Sequence, residues 1–153
     1  MANFDAIGTE GTPFELEVER GKIREFARAT GAENPDYLEA PNPPVPATFL
    51  TTQFFWQTPT SNPWQAVEFS RERGLHAEQE YTFHGPPPTA GTRLTGVSRI
   101  TNIYEKQGRR GGTMTFVEMV TEYRDESGRL VAEAKMTGVE TAPHPTAEEG
   151  RNE

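Results

Sequence analysis

After Gly74 the apolar pattern of this chain changes its period from about 3.6 residues to 2, and it keeps the shorter period almost to the end. In LHAEQEYTF (75–83), alternation puts Leu75, Ala77, Gln79, Tyr81 and Phe83 on one face and His76, Glu78, Glu80 and Thr82 on the other. TMTFVEMVTEY (113–123) and RLVAEAKMTGV (129–139) read as two further strands, the second with Leu130, Ala132, Ala134 and Met136 set against Glu133, Lys135 and Thr137. TRLTGVSRITNIY (92–104) is rich in threonine and β-branched residues, although Leu94, Val97, Ile100 and Ile103 at spacing three keep a helical reading open. DESG (125–128) and QGRRGG (107–112) are hairpin tips, and GPPPTAG (85–91) is a loop. Strands joined this tightly are antiparallel neighbours. The strands at 92–104, 113–124 and 129–140 are not all expected inside a small sheet, so an open edge of β-branched residues is expected among them.

An antiparallel sheet with one apolar face needs a cover. The segment before Gly74 offers two helices. KIREFARAT (22–30) carries Ile23, Phe26, Ala27 and Thr30 on one stripe and Lys22, Arg24, Glu25 and Arg28 on the other, with Gly31 placed as its C-terminal cap and Pro35 forbidding continuation. A stiff connection with four prolines, APNPPVPA (40–47), leads to FLTTQFFWQ (49–57), with Pro46 and Thr48 as start signals. Phe49, Leu50, Phe54, Phe55 and Trp56 point in several directions, as in a helix buried on most sides. TPTSNP (58–63) is a loop. The expected architecture is α+β: an antiparallel sheet wrapped around one helix.

Composition narrows the function. The 153 residues suit one domain, expected over 1–141, with APHPTAEEGRNE (142–153) a disordered tail. A formal net charge of -8 argues against nucleic-acid or anionic-membrane partners, which need a basic face. There is no cysteine, and His76, His84 and His144 are far apart, so neither a metal site nor a cofactor is expected. No run approaches the ~20 apolar residues of a membrane span, and no signal-peptide pattern opens the chain, so a cytoplasmic protein is expected.

VERGKIREFARATG, the ENP that follows, PVPATFL, LHAEQEYTFHGP, AGTRL and GRLVAEAKMTGVET, in this order over residues 14–141, resemble the MaoC-like hydratases and dehydratases of the hot-dog fold. The resemblance is closest to the N-terminal-type dehydratase domain and to the non-catalytic subunit of mycobacterial (R)-3-hydroxyacyl-ACP dehydratase. It implies that the helix runs into a Gly-Asp-x-Asn-Pro-x-His motif, whose Asp and His bracket the water that adds to an enoyl thioester. In TGAENPDY (30–37), Gly31, Asn34 and Pro35 fit that scaffold, but Ala32 stands at the Asp position and Tyr37 at the His position. Alanine carries no proton, and a tyrosine phenol holds its proton at neutral pH. Thr92 likewise departs from the family's Gly-Asp turn, and the connection after Pro35 is short.

The resemblance therefore implies a non-catalytic, substrate-channel subunit of an (R)-specific enoyl-CoA hydratase or 3-hydroxyacyl dehydratase. A catalytic MaoC-like chain would be its partner in a heterodimer, and the ligand an acyl-CoA or acyl-carrier thioester. Alternatives are a homodimeric acyl-CoA hydratase or thioesterase using other residues, and a non-enzymatic acyl-CoA-binding protein. Candidate substrate-binding residues are Asn34, the backbone N–H groups around Thr48 and Phe49, Trp56 beside an acyl tunnel, and Gln79. As an amide among apolar neighbours, Gln79 either pairs with backbone or lines a pocket. Glu33 or Asp36 replaces the missing acid or is simply solvated. His76 and His84 are expected as exposed strand neighbours. Arg109 and Arg110 are solvated or meet a coenzyme A phosphate or an acidic carrier.

Overall fold

The structure, a computed structural model, describes residues 2–70, 72–108 and 112–142. Of the expected tail only Ala142 falls within them, and Arg109, Arg110 and His144 lie outside. Five strands form one antiparallel sheet: β1 (Phe14–Glu17), β2 (Gly74–Phe83), β3 (Arg93–Gln107), β4 (Thr113–Arg124) and β5 (Leu130–Glu140), in the spatial order β1-β3-β4-β5-β2. The three long strands are thus all interior, contrary to the expectation above. The edges are β2 and the four-residue β1, which is too short to announce itself in the sequence.

Alternation on β4 is clean. Thr115, Val117, Met119, Thr121 and Tyr123 are buried, and the residues between them are half-exposed. Across the ladder Ser98 faces Thr121, Ile100 faces Met119 and Ile103 faces Val117. The spacing of three between Ile100 and Ile103 comes from a β-bulge, in which Thr101 is the extra residue between the paired Ile100 and Asn102. That bulge produced the helix-like spacing.

A second bulge corrects the reading of β2. Phe83, Tyr81 and Gln79 pair with Ala132, Ala134 and Met136 on the inner face, but the register shifts between His76 and Glu78. Beyond the shift His76 and Gly74 take the inner side, opposite Gly138 and Glu140, while Leu75 pairs with Val139 on the outer side. Leu75 is consequently 61% exposed and Ala77 is exposed as well. Neither is core, as simple alternation had placed them.

The cover also differs from expectation. Helix α1 (Arg20–Ala29) buries Ile23 and Ala27 completely. The segment expected as an all-round buried helix is a 3-10 helix, Phe49–Phe55, with one inward stripe of Phe49, Leu50, Thr52 and Gln53. Phe54 and Phe55 face out, at 51% and 76% exposure. Two β-branched threonines in its middle disfavour the α-helical form. Phe49 meets Phe26 of α1 edge-on, with centroids 5.6 Å apart. A further 3-10 helix, Pro63–Val67, and the turn Phe4–Ala6 cover the other half of the sheet, over Ile100, Val117 and Met119.

Two local devices hold this arrangement. In the β4–β5 turn, Asp125 accepts hydrogen bonds from Ser127 and from the Arg129 side chain and backbone, and Gly128 supplies the positive φ of 83°. The Ser127 side chain, followed by Arg129, pulls the Asp125 carboxyl down to about 2. On β3, Gly96 lies under the Phe14 ring, where a Cβ would come within 2.4 Å of a ring carbon. Phe14 is buried against Tyr123 in an edge-on contact at 6.3 Å, so it has little room to give. Gly96→Ala is expected to destabilise the protein by ~1–3 kcal/mol, the usual cost of overpacking. Urea denaturation measures it, and an unchanged midpoint would show that β1 does not seat on β3.

Candidate functional site

The stretch TGAENPDY forms two consecutive helix-end structures. Gly31 adopts a φ of +69°, its N–H donates to the Arg28 carbonyl at 3.2 Å, and the Ala32 N–H donates to the Ala27 carbonyl at 2.8 Å. This is a Schellman motif closing α1. Asn34 then caps α2 (Pro35–Leu38): its Oδ1 accepts from the Asp36 N–H at 2.9 Å, and Pro35 occupies the first helical turn. Tyr37 packs half-buried against the core cluster beneath α1. Ala32 and Tyr37, at the positions of the expected acid and base, therefore serve the chain's folding. Glu33 and Asp36 are both exposed.

The other candidates do not converge on one point. Thr48 is exposed and makes no side-chain capping bond to the 3-10 helix, contrary to its reading as an N-cap. The Phe49 N–H is occupied by the Pro46 carbonyl at 2.9 Å, so it is not offered to a thioester oxygen. Trp56 is half-buried and borders a cleft of about 300 Å³ with Leu16, Glu17 and Arg93. Gln79 is half-buried rather than buried, and its Nε2 donates to the Lys135 carbonyl on β5 at 3.1 Å. His84 pairs with Glu133 at 2.6 Å. His76, expected on the polar face, turns to the inner side, where Nε2 lies 3.0 Å from the Glu78 carbonyl. Among the described residues no cluster of three or more His, Asp or Glu side chains is arranged to hold a metal ion.

What the sequence reading missed is a lane of polar side chains between the 3-10 helix Phe49–Phe55 and the sheet. Tyr123 donates its hydroxyl to Gln53 Oε1 in a fully buried contact. Gln57 Nε2 donates to Ser98 Oγ at 3.0 Å, and Ser98 Oγ lies 2.8 Å from Thr121 Oγ1. Tyr81 meets the Thr51 side chain. Burial raises the Tyr81 phenol, partly offset by the Thr51 hydrogen bond, and burial together with the nearby Tyr81 raises that of Tyr123 far more. Both stay protonated at neutral pH. The lane donates and accepts hydrogen bonds but carries no carboxylate, imidazole or amine with which to move a proton. Its signal in the sequence was Ser98 and Thr121 at positions where alternation demands core.

Comparisons with known proteins agree with this architecture. A family model described as FAS1-like, dehydratase domain region, matches residues 5–134. A UPF0336 protein of Parafrankia sp. is 33% identical over 94% of this chain and 97% of its own length, and one of Streptomyces coelicolor is 32% identical over 77% and 80%. Among solved structures, the HadBC (3R-hydroxyacyl-ACP dehydratase) complex of Mycobacterium tuberculosis superposes with a TM-score of 0.69 at 24% identity, covering 88% of this chain and 97% of that one. The ChsH1–ChsH2 complex of the same organism reaches 0.72 at 16% identity, covering 90% and 87%. The sheet and its cover are the hot-dog fold of the MaoC-like dehydratases.

Two substitutions test the roles assigned here. Tyr123→Phe leaves the buried Gln53 oxygen without its donor and is expected to cost ~1–3 kcal/mol in urea denaturation. Gly31→Ala forces a Cβ into a left-handed conformation and is expected to cost ~1–2 kcal/mol. A Gly31→Ala protein as stable as the parent would contradict the Schellman assignment.

Proposed function

We propose a function that starts from family membership: this chain belongs to the FAS1-like dehydratase-domain family. Within it, the chain acts as a non-catalytic, substrate-channel subunit of an (R)-specific enoyl-thioester hydratase or dehydratase. The observation that carries this reading is the site of the missing pair, where Ala32 closes a helix end and Tyr37 packs on the core. A catalytic MaoC-like partner would supply the Asp and His that add water across the thioester's double bond. Asn34, Trp56 and Gln79 remain proposed contributors to the channel from this side. Thr48 and Phe49 would contribute as channel walls rather than through a free N–H.

The chemistry of the β2 edge supports an unlike partner. An open strand edge invites pairing with another chain. The middle of β2 carries Glu78 and Glu80, both exposed, and the strand holds no lysine or arginine. Antiparallel pairing of β2 with its own copy would bring these carboxylates together, and like charges opposed across strands destabilise a sheet. Lys135, 3.6 Å from Glu80, offsets only one of them. A partner whose edge strand is basic avoids the conflict. By their names, the HadBC and ChsH1–ChsH2 neighbours were solved as complexes, which is consistent with this assembly.

The purified chain alone is expected to hydrate crotonyl-CoA at no measurable rate, and to acquire or modulate activity when co-purified with a catalytic MaoC-like chain. Following the loss of enoyl absorbance tests both. Turnover above about 1 s⁻¹ by the chain alone, at the low end of ordinary enzymes, would overturn the non-catalytic reading and favour a self-sufficient hydratase. Tight acyl-CoA binding with no effect on any partner would favour a binding protein instead.

A further inference from the structure

A groove lies beside the edge strand, away from the segment 30–37. Its volume is about 670 Å³, within the range of roughly 300–1,000 Å³ typical of small-ligand sites. The 3-10 helix Pro63–Val67 and the following residues form one wall, and Leu75, His76, Met136 and Gly138 form the other side. Trp64 and Phe69 meet edge-on at 5.2 Å, and Gly138 is what admits them, since a Cβ there would come within 2.7 Å of the Trp64 ring. The bulge in β2 shapes the opposite side by turning His76 inward and Leu75 outward.

The charges around the groove restrict its occupant. Glu68 is the only charged side chain among the lining residues, and none of them is lysine or arginine. The neighbouring Arg73 is committed elsewhere, to the Glu140 carboxylate and to the Thr141 carbonyl. A carboxylate or phosphate would meet no counter-charge there, and a cation would leave most of an aromatic and aliphatic surface unused. The part of a ligand that fits is uncharged and apolar.

We propose that this groove holds the hydrocarbon portion of an acyl thioester, with the charged carrier end outside it. The proposal rests on the functional reading above and moves the acyl site from the neighbourhood of Trp56 to the Trp64–Phe69 wall. All the lining residues belong to this chain, so the isolated protein suffices for a test. Isothermal titration with decanoyl-CoA, crotonyl-CoA and free CoA is expected to give at least tenfold tighter binding of the decanoyl thioester. Leu75→Glu, at an exposed position that leaves the core intact, and Met136→Phe, which fills the floor, are each expected to erase that preference. Equal affinity for the three probes, or a decanoyl preference surviving in a folded Leu75→Glu protein, overturns the proposal. A decanoyl preference without any effect on a catalytic partner would leave the groove standing and remove the subunit reading; activation of a partner without the preference would do the reverse.

Discussion

The inner face of the sheet has to be covered, and only the seven-residue 3-10 helix Phe49–Phe55 crosses its middle. So short a cover cannot bury a wholly apolar face. The sheet meets it with Ser98, Thr121 and Tyr123, and the segment 49–57 answers with Gln53 and Gln57. Each hydrogen bond contributes only about 1 kcal/mol net, but leaving one partner bare inside the core costs more. The polar lane therefore fixes how the segment sits rather than supplying the bulk of the stability. That comes from Phe49 and Leu50, buried with Leu16, Ile23, Leu94 and Tyr123.

Much of this plan was legible in the sequence because period-2 alternation survives wherever a strand is flanked on both sides. On β4 and β5 the expected strands match the structure within a residue or two of each end. Legibility fails where the backbone breaks period. One extra residue at Ala77 exchanges the faces of Leu75 and His76, and another at Thr101 makes a strand look helical. Nothing in the local sequence marks either, because a bulge is stabilised by the register of both neighbouring strands. The four residues of β1 carry too little pattern to be seen. The 3-10 form of residues 49–55 follows from tertiary packing that composition does not encode.

At the candidate site the balance is different. TGAENPDY was readable residue by residue, because capping chemistry is local: Gly31 needs its positive φ, and Asn34 needs only the Asp36 N–H two residues on. The residues proposed from further away fared less well. Thr48 and Phe49 were placed by analogy with a helix N-terminus, and the Pro46 carbonyl had already taken the Phe49 N–H. The groove at Trp64 and Phe69 was invisible to the sequence, since its walls meet only after the β2 bulge has formed.

The central claim is that this chain keeps a hydratase scaffold in order to complete an unlike partner. Native mass spectrometry of the full chain mixed with a catalytic MaoC-like chain at micromolar concentration tests it most directly. The account predicts a one-to-one assembly that displaces any self-associated form, because Glu78 and Glu80 oppose pairing of β2 with its own copy. A homodimer that persists unchanged in the presence of such a partner would contradict it.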